Sequence, residues 1–135
     1  MNKWDRRYML RAAEIAGWSK DDIGVGAVIV DSSNRQTSEG YNGVPAGVDE
    51  MFKEESEAKI HAEENAVLFA RCDLSGQRIY VWPFLPCAHC ASILAQVGIV
   101  EVIVPEEEAV SEKWQRSWDL AKALFDSKGI KVRKI

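Results

Sequence analysis

Nowhere in the 135 residues does an apolar run approach the roughly 18 consecutive positions needed to cross a bilayer. Basic tracts are missing too. No stretch gathers five lysines and arginines and the net charge is −4, so the basic face through which polynucleotide-binding proteins gain most of their affinity is absent. Cysteine is sparse and odd in number (Cys72, Cys87 and Cys90), which argues against a disulfide framework. The stretch from Met1 to Arg7 lacks the apolar core of a signal peptide. There is no internal repeat, low-complexity tract or Gly/Pro-rich linker. The expectation is one cytoplasmic domain over residues 1–135, with neither a membrane nor a nucleic acid polymer as partner. What the chain does have is 47% hydrophobic residues, enough for one substantial core.

Periodicity sorts that apolar content into elements. It predicts helices over 4–16, 60–71, 87–97 and 111–128. Apolar or alternating runs predict strands over 25–30, 37–41, 77–82, 100–104 and 130–135, and residues 43–57 read as irregular and acidic. The order α-β-β-α-β-α-β-α-β implies an α/β fold, a three-layer α/β/α sandwich around a mixed sheet of about five strands. The last helix is long enough for a crossover, so the last two strands are expected to run parallel.

Two short segments carry chemistry: His61-Ala62-Glu63 and Pro86-Cys87-Ala88-His89-Cys90. Each stands where a helix is predicted to begin, with free backbone N–H groups and the positive end of the dipole. Facing each other, two such starts put one imidazole and two thiolates around a single ion. Zinc prefers these donors, and three protein ligands leave its fourth tetrahedral position to water. Bound water loses a proton near neutral pH. Hydrolysis at an aromatic C–NH2 carbon then needs a group to carry protons to the ring and the leaving amine. Glu63, two residues from His61, is near the ion without being needed as a ligand. Two alternatives stay open on the residues alone. One is a closed structural zinc site with His89 as fourth ligand, which leaves Glu63 unused. The other is a redox Cys-x-x-Cys at a helix start, which leaves His61-Ala62-Glu63 unexplained. Cys72 reads as a packed thiol and His89 as a surface or neighbouring residue.

His-x-Glu followed by Pro-Cys-x-x-Cys is the signature of zinc-dependent nucleobase deaminases. The chain resembles the cytidine and deoxycytidylate deaminase superfamily, and its dCMP deaminase branch in particular, over nearly its whole length. Besides the two segments above, Val25-Gly26-Ala27-Val28-Ile29-Val30 is similar to the family's first strand. Gly40-Tyr41-Asn42-Gly43-Val44-Pro45 is similar to the branch's strand-end loop. His61-Ala62-Glu63-Glu64-Asn65-Ala66 resembles its His-Ala-Glu-x-Asn-Ala, and the run from Ala95 to Val104 fits as well.

The resemblance implies a sheet of the cytidine deaminase type and one Zn2+ per chain, held by His61, Cys87 and Cys90, with Glu63 as the catalytic proton carrier. The segment between Pro45 and His61 is short and holds no further Cys or His ligands, hence a single ion. By the same resemblance Asn42 hydrogen-bonds the sugar or base, Ala62 offers backbone to the base, and Pro86 borders the leaving amine. Ser19 and Lys20 meet a phosphate. Where the branch carries a Tyr-His-Asp-like stretch, this chain reads Glu112-Lys113-Trp114-Gln115-Arg116-Ser117-Trp118. Trp114 is thus an expected aromatic wall, and Arg116 with Lys113 an expected phosphate contact. By spacing alone, Trp114 and Trp118 form a core or subunit-interface stripe, and the two cations a solvated face. The five tryptophans and the resemblance both point to a homo-oligomer, dimer or hexamer. The expected reaction is hydrolysis of dCMP to dUMP and ammonia. The same hydrolysis on a nucleoside, free base or modified heterocycle, and a nucleotide-binding scaffold of the same fold, are the alternatives.

Overall fold

Asn2 starts the first helix by accepting the Asp5 N–H on its side-chain oxygen at 2.9 Å, which satisfies one of the orphan donors there. In the computed structural model, which describes residues 1–106 and 112–135, the elements follow in the expected order. They are α1 (Lys3–Ala16), β1 (Gly26–Val30), β2 (Gln36–Tyr41), α2 (Ala62–Phe69), β3 (Arg78–Trp82), α3 (Ala88–Gln96), β4 (Glu101–Val104), α4 (Glu112–Lys128) and β5 (Lys131–Lys134). The expected start of the last helix at Ser111 lies outside the described residues. No helix among the described residues is long and apolar enough to cross a membrane.

The five strands form one sheet in the order β2-β1-β3-β4-β5. β1 runs antiparallel to both neighbours, while β3, β4 and β5 are mutually parallel. The last pair runs parallel as expected, and α3 supplies a second crossover between β3 and β4. β1 is buried along its whole length, which is why it is apolar throughout rather than alternating.

The two faces of the sheet have separate cores. Ala27, Ile29, Ile79, Val81, Val102 and Val104 point to the face covered by α2, α3 and α4, where Ala66, Leu94, Trp118 and Phe125 meet them. Val28, Val30, Tyr80 and Ile103 point to the other, covered by α1 through Ala12. At two places helix and sheet approach too closely for a side chain. A Cβ on Gly26 would run into the carbonyl of Ala12, and one on Gly40 into the first turns of α2. Ser38 ties β2 to α2 as well, donating to the Ala66 carbonyl at 2.5 Å.

Residues 43–57, expected to be irregular, contain most of two short 3-10 turns at Glu50–Glu54 and Ser56–Ala58. A bridge between Gly43 and Ile60 closes this excursion and delivers the chain to α2. α2 is shorter than the predicted 60–71. His61 and Ala70 are extended caps on either side of it.

Candidate metal centre and active site

His61 is the residue before α2 and Cys87 the residue before α3, so both helices begin at the same place. Glu64 closes the α2 start by accepting the His61 N–H on Oε1 at 3.0 Å. Cys87 Sγ accepts the Cys90 N–H at 3.5 Å. The Nδ1 of His61 then stands 3.4 Å from Cys87 Sγ and 3.3 Å from Cys90 Sγ, and the three donor atoms lie within 4.8 Å of one another. A tetrahedral zinc with ordinary bond lengths separates an N and an S donor by about 3.6 Å, so this donor set fits the ion closely. The protons on the three side chains are already unevenly shared. Hydrogen bonding from Cys90 holds the Cys87 thiol down to about 4, while the same contact pushes Cys90 up. The Cys87 bond also raises His61 to about 9. Metal binding to such a set displaces protons.

Glu63 sits on the first turn of α2, only 4% exposed, at the inner wall of a cavity of about 410 Å³. Its burial pushes the carboxyl up to about 7. His61, Ala62 and Cys87 line the same cavity, so two of the three donors, with Cys90 buried beside them, face a space large enough for a small ligand.

The remaining expected site residues divide. Lys20 and Trp114 line the cavity, and so does Lys113, whose ammonium lies 5.6 Å from the Trp114 ring centroid. Trp118 lines it too while also being buried in the core. Asn42 borders the cavity, with both sides of its amide tied to the 19–25 loop. Oδ1 accepts the Val25 N–H at 2.8 Å, and Nδ2 donates to the Ile23 carbonyl at 2.9 Å and to Asp21 Oδ2 at 3.1 Å. Ser19 lies behind it, donating to the Asn42 carbonyl at 2.8 Å. Pro86 is buried beneath Cys87, and Arg116 is exposed, neither of them among the cavity-lining residues. Cys72 is exposed rather than packed. His89 is 74% exposed with Nε2 3.8 Å from Glu64 Oε2, away from the donor trio.

Several cavity residues escaped the sequence. Phe84 forms part of the wall and packs on Trp118 with ring centroids 5.6 Å apart. Lys53 and Lys59 bring the cations on the wall to four, with Lys20 and Lys113. Lys59 sits 3.6 Å from Asp21, itself 8% exposed at the side chain. Its place two residues before His61 was a usable signal. Lys53 had none, since 3-10 turns carry no period that pattern analysis detects.

A mixed sheet flanked by helices, with a His/Cys/Cys trio and a buried glutamate at the starts of two of them, defines the class of zinc-binding nucleobase deaminases. The chain belongs to the cytidine and deoxycytidylate deaminase family: the family's zinc-binding region matches residues 2–106. An uncharacterized deaminase from the luxG 3′ region of Aliivibrio fischeri is 40% identical, over 98% of this chain and 93% of the relative. Human deoxycytidylate deaminase is 35% identical over 98% of this chain and 79% of its own length. The crystal structure of a dCMP deaminase from the cyanophage S-TIM5 has the same fold, with a TM-score of 0.80 over the whole of both chains at 22% identity.

Proposed function

We propose that this chain hydrolyses the amino group of a cytosine nucleotide, dCMP in particular, to give dUMP and ammonia. One observation carries the proposal: the buried carboxyl of Glu63 stands at the wall of a cavity that His61 and Cys87 of the donor trio also line. The name of the human relative supports dCMP as substrate, that of the Aliivibrio relative supports deamination, and the family description supports zinc.

His61, Cys87 and Cys90 would hold one Zn2+ per chain, which when bound supplies the Lewis acidity that makes water nucleophilic at neutral pH. The protein's own residues do the rest. Glu63 Oε carries both protons of the attacking water in turn, the first to the ring nitrogen beside the reacting carbon and the second, from the added hydroxyl, to the departing amine. One water is consumed, and one C–N bond is exchanged for a C–O bond. Burial keeps bulk water from competing for that proton. Phe84, Leu85 and Trp114 offer apolar walls to the base, and Ala62 its backbone. Lys53 and Lys113 supply ammonium groups for a 5′-phosphate, while Lys20 and Lys59 on the same wall are paired with Glu50 and Asp21. Asn42 holds the 19–25 loop at the cavity edge. The exposed apolar side chains Trp18, Tyr41, Leu68 and Phe69 support a homo-oligomer.

The test is ammonia release from zinc-loaded protein, with dCMP and deoxycytidine at equal concentrations. A preference for dCMP of tenfold or more, about 1.4 kcal/mol, is the expected result. No release from either by a zinc-replete enzyme would overturn the assignment.

A further inference from the structure

The family match ends at residue 106, yet α4, beyond it, reaches the metal-bearing loop at two points. Ser117 Oγ accepts the Ala88 N–H at 2.9 Å. Trp118 Nε1 donates to the Leu85 carbonyl at 2.9 Å, a bond buried from water. The two contacts bracket Pro86 and Cys87, one on each side. Ala88 is the first residue of α3, and its N–H has no partner within its own helix. Pro86 has a fixed φ, so the freedom left to Cys87 lies in the peptide planes that flank it. Ser117 holds the plane that follows Cys87, which sets the direction in which the thiol leaves the backbone.

The same helix face carries Trp114, one turn earlier, into the cavity wall, and Trp118 packs on Phe84 there. The substrate wall and the support of Cys87 therefore belong to one rigid element. We infer that Ser117 is a positioning residue of the metal centre: through the Ala88 N–H it fixes the backbone from which Cys87 presents its sulfur, with Trp118 as the second point of the clamp. This rests on the proposed metal centre.

The test measures metal affinity in the full chain by competition with a chelator of known strength, alongside the absorption of the Co2+-substituted protein, which reports thiolate geometry directly. Ser117→Ala is expected to weaken zinc about tenfold, the range typical for groups that orient a ligand, and to alter the cobalt thiolate bands. Ser117→Thr keeps the acceptor and should restore both. Trp118→Phe keeps the ring but loses the donor to Leu85, and should weaken zinc in the same direction. Zinc affinity within twofold of the parent in Ser117→Ala would overturn the inference. So would a threonine variant as weak as alanine, or an affinity loss fully matched by a lower melting point of the metal-free protein. If the parent chain itself takes up neither zinc nor cobalt, the metal centre fails first and the clamp with it, so the two failures are distinguishable.

Discussion

Gly40 lies so close beneath α2 that a Cβ attached to it would stand 2.6 Å from the carbonyl oxygen of Ala62, and equally close to the Ala66 nitrogen. Both are backbone atoms of the helix that begins at His61, so neither can step aside without moving the helix. Gly40→Ala should destabilise the fold by about 2 kcal/mol, a typical overpacking cost. It should also weaken zinc, because α2 is displaced at its ligand-bearing end. Chemical denaturation and chelator competition on the same preparation check both.

Glu63→Gln replaces the proton carrier by an amide of nearly the same shape at the same buried position. Zinc content should remain at one per chain while ammonia release falls by at least about a hundredfold, the loss expected for a general acid–base group. Metal analysis beside a continuous ammonia assay separates this outcome from simple loss of metal.

Lys53 and Lys113 are exposed cations on the cavity wall. Replacing either by alanine should raise KM for dCMP by up to about tenfold and leave deoxycytidine unchanged, since the nucleoside has no phosphate to lose. Added salt should narrow the difference from the parent enzyme, as screening weakens exposed charges. Steady-state kinetics with both substrates at two ionic strengths decides it.

On the opposite face of the sheet, Asp5 is buried between Arg133 and the Tyr80 hydroxyl, at 2.9 Å and 2.8 Å. Hydrogen bonding to Arg133 holds its carboxyl down to about 2, below the ordinary 3.8. A folded-state value below the unfolded one stabilises the protein fully above about pH 4, and that contribution disappears as the pH falls through 2. It is worth about 2 kcal/mol. Asp5→Asn should therefore cost stability at pH 7 and flatten the acid limb of the stability–pH curve, measurable by denaturation at a series of pH values.

Strand and helix order was readable because each element is long enough to express its own period, and β1 could be recognised as buried from its unbroken apolar run. The boundaries were less so. Val25 looks like strand, yet its N–H goes to the side chain of Asn42 and the ladder starts at Gly26. The metal trio was legible because ligands are rare residue types at fixed spacing. Asn42 was not, because its role depends on what the folded 19–25 loop presents to it: three partners that take both amide protons and one site on the oxygen. Lys53 belongs to the same category, since a non-periodic segment brings it to the cavity, whereas Lys59 stands beside the His61 segment. The family resemblance had instead pointed to Arg116 with Lys113; Lys113 lines the cavity, while Arg116 is exposed, as spacing alone had it.

β3 sits between β1 and β4, although β1 and β2 precede it in the chain. Until β3 joins, the first hairpin has two bare edges, and the one on Gly26–Val30 belongs to an unbroken apolar strand. It is covered only when Arg78–Trp82 docks, and this strand leads directly into the loop carrying Cys87. Covering that apolar edge and bringing the thiols to His61 thus both depend on the docking of the same strand. A nascent chain that has gathered its three donors has already passed its most hazardous stage.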